Sequence, residues 1–244
     1  MADAATVAAR ILAGEAPRLI ALDVDGTLAP IVNDPDAARV PAATLALLDR
    51  LRRQEGIVLA LITGRDAAAL ATLVPDSSFW RAVEHGGRLL SPGEDGTAPA
   101  PKDEALEAFG AWVLASGARY EAKARSVGVH VRGLNVPDDL LDRAEEEARR
   151  HGLQTRRGRG VLEASRELGD KGSALRAIAR EVGAKSVFFA GDDVTDLPAI
   201  AWAVECGVGA LIESDEGPSA PRGAVRVAGT DALVDVLQAL VGGP

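Results

Sequence analysis

Three apolar runs constrain this chain more than any other feature: Leu19–Leu22, Ile57–Ile62 and Ser186–Ala190, each short and each running into polar residues. Strands buried on both faces read this way, and such strands belong to parallel sheets covered by helices. The intervening segments supply the helices. Residues 3–14 read as a leading helix. Pro41 suits the first turn of a helix carrying Leu45, Leu47, Leu48 and Leu51. Gly56 ends that helix, and an Ala/Leu-rich helix after Asp66 leads to a short strand at Trp80–Val83. The order so far is βαβαβ, which predicts an α/β fold with a Rossmann-like parallel sheet.

The texture changes at Ser91–Pro101, SPGEDGTAPAP, a compositional linker. Beyond it lie a helix at Asp103–Leu114, strands at Arg119–Ala124 and Val127–Val131, and a helix at Asp138–His151. Two more strands follow near Leu153–Arg156 and Gly160–Glu163. A helix-strand-strand unit occurring twice makes a small α+β domain. The first pattern then resumes: Asp170 can cap a helix through Ala174, Leu175, Ile178 and Val182. After Ser186–Ala190, Pro198–Ala201 continues a helical turn, Ala203–Val208 and Val225–Val227 read as short edge elements, and Leu233–Leu240 closes the chain as a helix. The expected organisation is a core of residues 1–90 and 165–244 with an inserted domain, 91–164. An insertion whose two ends meet the sheet near one rim suits a lid.

A chain of 244 residues can bury one core with a smaller one attached. Its net charge of -9 disfavours nucleic-acid and anionic-membrane surfaces. Trp80, Trp112 and Trp202 are too scattered for base stacking. A small anionic substrate stays open, because a local cation can reverse the field of a site. The single Cys206 fits a reducing compartment. No run is long enough to span a bilayer, and the N-terminus lacks a secretory pattern. The expectation is a cytoplasmic protein, monomeric or weakly dimeric, with no nucleic-acid or membrane partner.

Chemistry concentrates in Leu19–Ile31, LIALDVDGTLAPI. Asp23 and Asp25 are two apart at a strand end and address the same space. Two close carboxylates are costly without a cation or a shared proton, and oxygen donors suit a hard ion such as Mg2+. Gly26 lets backbone approach a ligand, and Thr27 offers a hydroxyl. An ordinary acidic turn would look the same in isolation. Thr63, Asp192, Asp193 and Asp196 also follow predicted strands, whose carboxyl ends are where open α/β sheets bind ligands. Lys171 stands just inside a helix N-terminus, where its charge opposes the dipole. Alone it reads as a surface lysine; a nearby anionic cluster would give it a reason. Together these groups fit phosphoryl transfer. One carboxylate attacks phosphorus, a metal and a lysine spread the gathering charge, and a second acid protonates the leaving oxygen.

In order, DVDGT at Asp23–Thr27, Thr63 in ITGR, Lys171 and GDDVTD at Gly191–Asp196 resemble the four motifs of the haloacid dehalogenase-like phosphatases. That resemblance implies Asp23 as nucleophile and Asp25 as general acid/base. It also implies Mg2+ held by Asp23, the Asp25 carbonyl and Asp192, with Asp193 and Asp196 supporting or sharing it. The likeness narrows to trehalose-6-phosphate phosphatases through DGTLAPIVNDPDAA, ITGR followed by Glu84-His85-Gly86, Glu121-x-Lys123 with His130-x-Arg132, and Glu163 in VLEASRELGDKG. It implies that Glu121, Lys123 and Glu163 bind sugar hydroxyls, with Thr27, Gly64, Arg65, His85, His130 and Arg132 completing the substrate site. The substrate implied is a small-molecule sugar phosphate, trehalose 6-phosphate.

Physically, Glu121 and Lys123 share a strand face and offer an acceptor and a donor, although charged pairs on a strand are also an ordinary solvated face. His85 reads either as a residue that orients the loop or meets the leaving group, or as a structural histidine. The basic run Arg156, Arg157 and Arg159 fits phosphate attraction or an exposed hairpin equally. Val24, Gly87 and Leu197 depart from the family pattern and leave open a related phosphatase for another glycosyl or cyclitol phosphate. A phosphomutase and a non-catalytic sugar-phosphate sensor are the other classes.

Overall fold

The structure, a computed structural model, describes residues 3–32, 37–96, 102–123, 125–158, 160–166, 168–214 and 217–242. Arg159 and parts of the expected loop (33–36) and linker (97–101) lie outside the described residues. Two compact units emerge, Met1–Gly96 with Gly169–Pro244, and Thr97–Leu168.

The larger unit is built on a seven-stranded sheet. Its strands are β1 (Arg18–Leu22), β2 (Ile57–Ile62), β3 (Trp80–Val83), β4 (Arg88–Leu90), β9 (Ser186–Gly191), β10 (Gly207–Ile212) and β11 (Val225–Val227), in the order β11-β10-β9-β1-β2-β3-β4. All pairings are parallel except β3 with β4. Alternation along β1 feeds two cores. Ile20 and Leu22 join one with buried residues of α1 (Ala4–Leu12), α2 (Ala42–Arg52), α3 (Ala67–Leu73) and α8 (Gly229–Val241), while Leu19 and Ala21 join one with α6 (Lys171–Glu181) and α7 (Leu197–Cys206). Helices thus cover both faces, as the unbroken apolar strands require. Asp3, Asp66 and Asp170 cap α1, α3 and α6 by accepting from the backbone N–H three residues on.

The chain visits β2 and β3 on one side of β1, and β9, β10 and β11 on the other. The order therefore reverses between β1 and β9, which opens a crevice beyond their carboxyl ends. Asp23 and Asp192 are the first residues past those two strands.

Two expectations need correction. Ala203–Cys206 completes α7, and the buried β10 that follows is an inner strand between β9 and β11, not an edge element. Its glycines weaken the strand pattern, yet packing demands them: a Cβ on Gly209 would lie 2.2 Å from the Ile200 carbonyl oxygen of α7. The antiparallel β4 was not expected. Three residues between Gly87 and Ser91 are too few to show a period.

The smaller unit is an antiparallel sheet ordered β5-β6-β8-β7, from β5 (Arg119–Ala122), β6 (Ser126–His130), β7 (Gln154–Gly158) and β8 (Val161–Ser165). Helices α4 (Glu104–Ser116) and α5 (Leu140–Arg150) bury Phe109, Val113, Ala144 and Ala148 against Val127, Val129, Leu162 and Ala164. Period-two alternation leaves Ser126, Gly128, His130 and Glu163 on the opposite face. At the unit's ends Arg166 donates to both carboxylate oxygens of Asp103, at 2.8 and 3.1 Å. Among the described residues, no helix is long and apolar enough to cross a membrane.

Candidate active site

The backbone of Asp23 prolongs β1 by donating to the Ala190 carbonyl at 2.9 Å, which fixes its side chain beyond the strand end. Lys171 is the first residue of α6 and is buried, not a surface lysine. Its Nζ donates to Asp23 Oδ1 and to Asp196 Oδ1, both at 2.7 Å. The second Asp196 oxygen accepts from the backbone of Asp192 at 3.1 Å and of Asp193 at 3.0 Å. The hydroxyl of buried Thr27 lies 3.3 Å from Asp23 Oδ2. One oxygen each of Asp23, Asp192 and Asp196 lies within 4.8 Å of the others.

Three buried carboxylates thus face one buried ammonium. Burial pushes Asp23 well above the ordinary carboxylate range; Lys171 opposes this, and the Asp196 and Asp192 charges add to it. Burial, then the Asp196 charge, raises Asp192 to about 6 against the pull of Lys171. Burial works against the Lys171 charge, but Asp23 and Asp196 outweigh it and hold the ammonium above the usual lysine range. The all-oxygen donor set and the surplus of negative charge fit a hard divalent cation. Asp23, Asp192 and Asp196 are the side chains that could hold it.

A pH dependence follows. A carboxyl raised in the fold is penalised once ionised, so Asp192 costs stability progressively from its ordinary value of 3.8 up to about 6, and fully above that. A divalent cation binds the ionised form. Thermal unfolding with EDTA or with Mg2+ should therefore show a gain in Tm of several degrees at pH 8 and little at pH 5. An equal gain at both would contradict this account of the cluster.

The carboxylates of Asp25 and Asp193 lie outside the triad. Asp193 caps the single 3-10 turn Val194–Asp196. Asp25 is gripped by Arg65, whose Nε donates to Oδ2 and Nη2 to Oδ1, both at 2.7 Å. Thr63 is buried at the end of β2; its hydroxyl accepts from Arg65 N at 3.1 Å and its carbonyl from His85 N at 2.9 Å. His85 and Glu84 both have positive φ, 56° and 54°, a backbone that non-glycine residues rarely adopt and that clusters at functional sites. Gly64 seats this turn, since a Cβ there would lie 2.5 Å from the His85 ring. Gly26, at φ 79°, has a sharper reason than ligand approach: its Cβ would lie 2.1 Å from Asp192 Oδ2.

A second polar cluster occupies the sheet face of the smaller unit opposite α4 and α5. Lys123 Nζ and Ser126 Oγ both donate to Glu163 Oε1, at 3.2 and 2.8 Å, while His130 Nε2 lies 2.6 Å from Glu121 Oε2. Glu121, Gly128, Glu163 and Arg156 form one row across the four strands. Sequence reasoning missed Ser126 and Gly128. Their signal was the two-residue spacing to His130, and Gly128 leaves space that a Cβ would take, 3.0 Å from Glu121 Oε2. Arg132 is exposed past the end of β6, and Arg157 pairs with Asp142 of α5 on the other side of the sheet.

With this geometry in view, the comparisons with known proteins decide the family. A family model described as trehalose-phosphatase matches residues 21–221. The chain belongs to the trehalose-phosphatase family. A trehalose-phosphate phosphatase of Mycobacterium avium is 33% identical over 76% of this chain and 51% of that protein. An uncharacterized glycosyl hydrolase of Mycobacterium tuberculosis is 34% identical over 85% of this chain but only 17% of its own length. This trehalose-phosphatase family member therefore spans about half the length of the first relative and a sixth of the second. A solved trehalose-6-phosphate phosphatase related protein is 27% identical with a TM-score of 0.71, over 92% of this chain and 97% of that one. The fold is thus the haloacid dehalogenase-like one that the sequence resemblance implies.

Proposed function

We propose that the protein is a Mg2+-dependent phosphatase that hydrolyses trehalose 6-phosphate through an aspartyl-phosphate on Asp23. The observation that carries this reading is Asp23 itself, buried at the point where strand order reverses and held between Lys171 and Thr27. One Asp23 oxygen attacks phosphorus as the sugar oxygen departs, taking a proton from Asp25. Lys171 stabilises charge gathering on the transferring group, and Thr63 with the backbone beside it supplies a cradle of donors. Asp25 then takes a proton from a water that attacks the phosphorus and frees Asp23. A bound divalent cation would neutralise phosphoryl oxygens against the acidic cluster.

The polar sheet face of the smaller unit fits sugar recognition. Glu121 and Glu163 accept from hydroxyls, and Lys123 donates to them. Phosphate release from trehalose 6-phosphate, compared with glucose 6-phosphate and with and without Mg2+, tests the proposal. Preference for the disaccharide supports it, and preference for another glycosyl or cyclitol phosphate overturns the substrate. Isomerised sugar phosphate in place of free phosphate would identify a mutase. Glu121→Ala should lower kcat/KM on the sugar phosphate by about 100-fold, the order of one lost hydrogen bond to a charged group. On 4-nitrophenyl phosphate it should change little. Equal losses on both would remove Glu121 from recognition.

A further inference from the structure

Gly64 lies between Thr63 and Arg65, and its own backbone does not require a glycine, because its φ falls outside the left-handed region. A neighbour requires it. The three atoms nearest to an added Cβ all belong to the His85 ring, Cε1 and Nε2 at 2.5 Å and Cδ2 at 3.2 Å. The ring therefore sits on the Gly64 Cα, in the place a side chain would take. His85 reaches that place from a costly backbone: Glu84, His85 and Gly86 are three successive residues at positive φ, 54°, 56° and 94°. Two hydrogen bonds hold this turn to the end of β2. His85 N donates to the Thr63 carbonyl at 2.9 Å, and Glu84 N to the Arg65 carbonyl at 2.8 Å. The other side of the turn is wedged against the start of α6, where a Cβ on Gly86 would lie 2.8 Å from both Ala174 Cβ and the Asp170 carbonyl oxygen. The turn thus braces the Thr63–Arg65 segment against the helix that begins with Lys171.

We infer that His85 is a positioning residue, whose ring holds the peptide units of Gly64 so that their donors meet the transferring phosphoryl group. Resting on the proposed phosphatase reading, this role gives His85 no contact with the sugar and no proton to carry. Thr63 turns both its backbone groups towards β3, since its N–H donates to the Ala82 carbonyl at 2.9 Å and its carbonyl accepts from His85. Along an extended chain the next residue turns its groups the other way. The Gly64 N–H therefore points to the β1 side, where Asp23 follows the strand. Glycine is the most mobile residue on which to mount such a donor. A rigid ring packed on its Cα removes that freedom, and the missing side chain is what lets the ring approach. The two residues are complementary halves of one support.

Complementary halves should show up in a double-mutant cycle. Values of kcat, KM and Tm would be measured for wild type, Gly64→Ala, His85→Asn and the double variant. The esters are trehalose 6-phosphate, glucose 6-phosphate and 4-nitrophenyl phosphate, each with Mg2+. Asparagine tolerates positive φ but lacks the distal ring atoms that lie over Gly64. Gly64→Ala should lower kcat by about 100-fold, the scale of a misplacement of about 1 Å. His85→Asn should lower it by about tenfold on every ester the wild type turns over, because the phosphoryl group is common to them all. In the double variant the alanine methyl takes the space of the ring. Its kcat should rise about tenfold above that of Gly64→Ala, whereas independent effects would leave it about tenfold below. That independent result would overturn the inference. So would a His85→Asn loss confined to KM or to the sugar esters, which would make His85 a substrate contact. Lowered Tm with normal turnover per folded molecule would make the pair purely structural. Wild-type enzyme inactive on every ester, or as active after Asp23→Asn, would instead bring down the phosphatase reading and this inference with it.

Discussion

Asp23→Asn should abolish phosphate release, by about 10⁴-fold or more, while leaving the fold intact. The magnitude follows from losing the only group proposed to bond to phosphorus, at tenfold per 1.4 kcal/mol of lost transition-state stabilisation. The fold should tolerate the change because the cluster carries surplus negative charge. Asp23 is buried with Asp192 and Asp196, and burial already pushes its carboxyl towards the neutral form. An amide removes one charge and can still accept from Lys171. In EDTA at pH 8 the variant should therefore unfold at a temperature equal to or above that of wild type. An active variant would sink the nucleophile, and a strongly destabilised one would contradict the charge account of the cluster.

Lys171→Met should be damaging in both respects. The variant keeps the length of the side chain but removes the ammonium that touches Asp23 and Asp196, both nearly inaccessible to solvent. Breaking a buried ion pair from one side leaves uncompensated charge and costs about 3–5 kcal/mol. The cost should be greatest above pH 6, where Asp192 is also ionised, and should shrink as the pH falls through that value. Urea unfolding at pH 5 and pH 8 reads the difference, and a variant as stable as wild type at pH 8 would contradict the assignment. Turnover should fall by about 10³-fold or more, the scale of losing a preorganised charge at the transferring phosphoryl group.

The sheet was legible because β1, β2 and β9 are buried on both faces and so carry no polar interruption. Local sequence showed less where tertiary packing sets the rule. Gly207 and Gly209 look like strand breakers, yet they are needed because backbone passes within reach of any added Cβ. The candidate acids were visible as a motif, but their different surroundings were not. Spacing placed Asp23 and Asp25 together, whereas the structure puts Asp23 with Lys171 and Asp25 with Arg65. Asp193 and Asp196 stand three apart in one acidic run; only the 3-10 turn separates a cap from a buried charge. Lys171 and Asp23 lie 148 residues apart, and no local pattern predicts a 2.7 Å contact at that range.

In the proposed reaction the phosphoryl group passes through Asp23. The most direct measurement of this step is borohydride trapping of the enzyme quenched during turnover of trehalose 6-phosphate with Mg2+, followed by peptide mass spectrometry. An acyl phosphate at Asp23 would be reduced to homoserine at position 23, in wild type but not in Asp23→Asn. Reduction at another carboxylate, or steady phosphate release with no trapped residue and full activity in Asp23→Asn, would contradict the account.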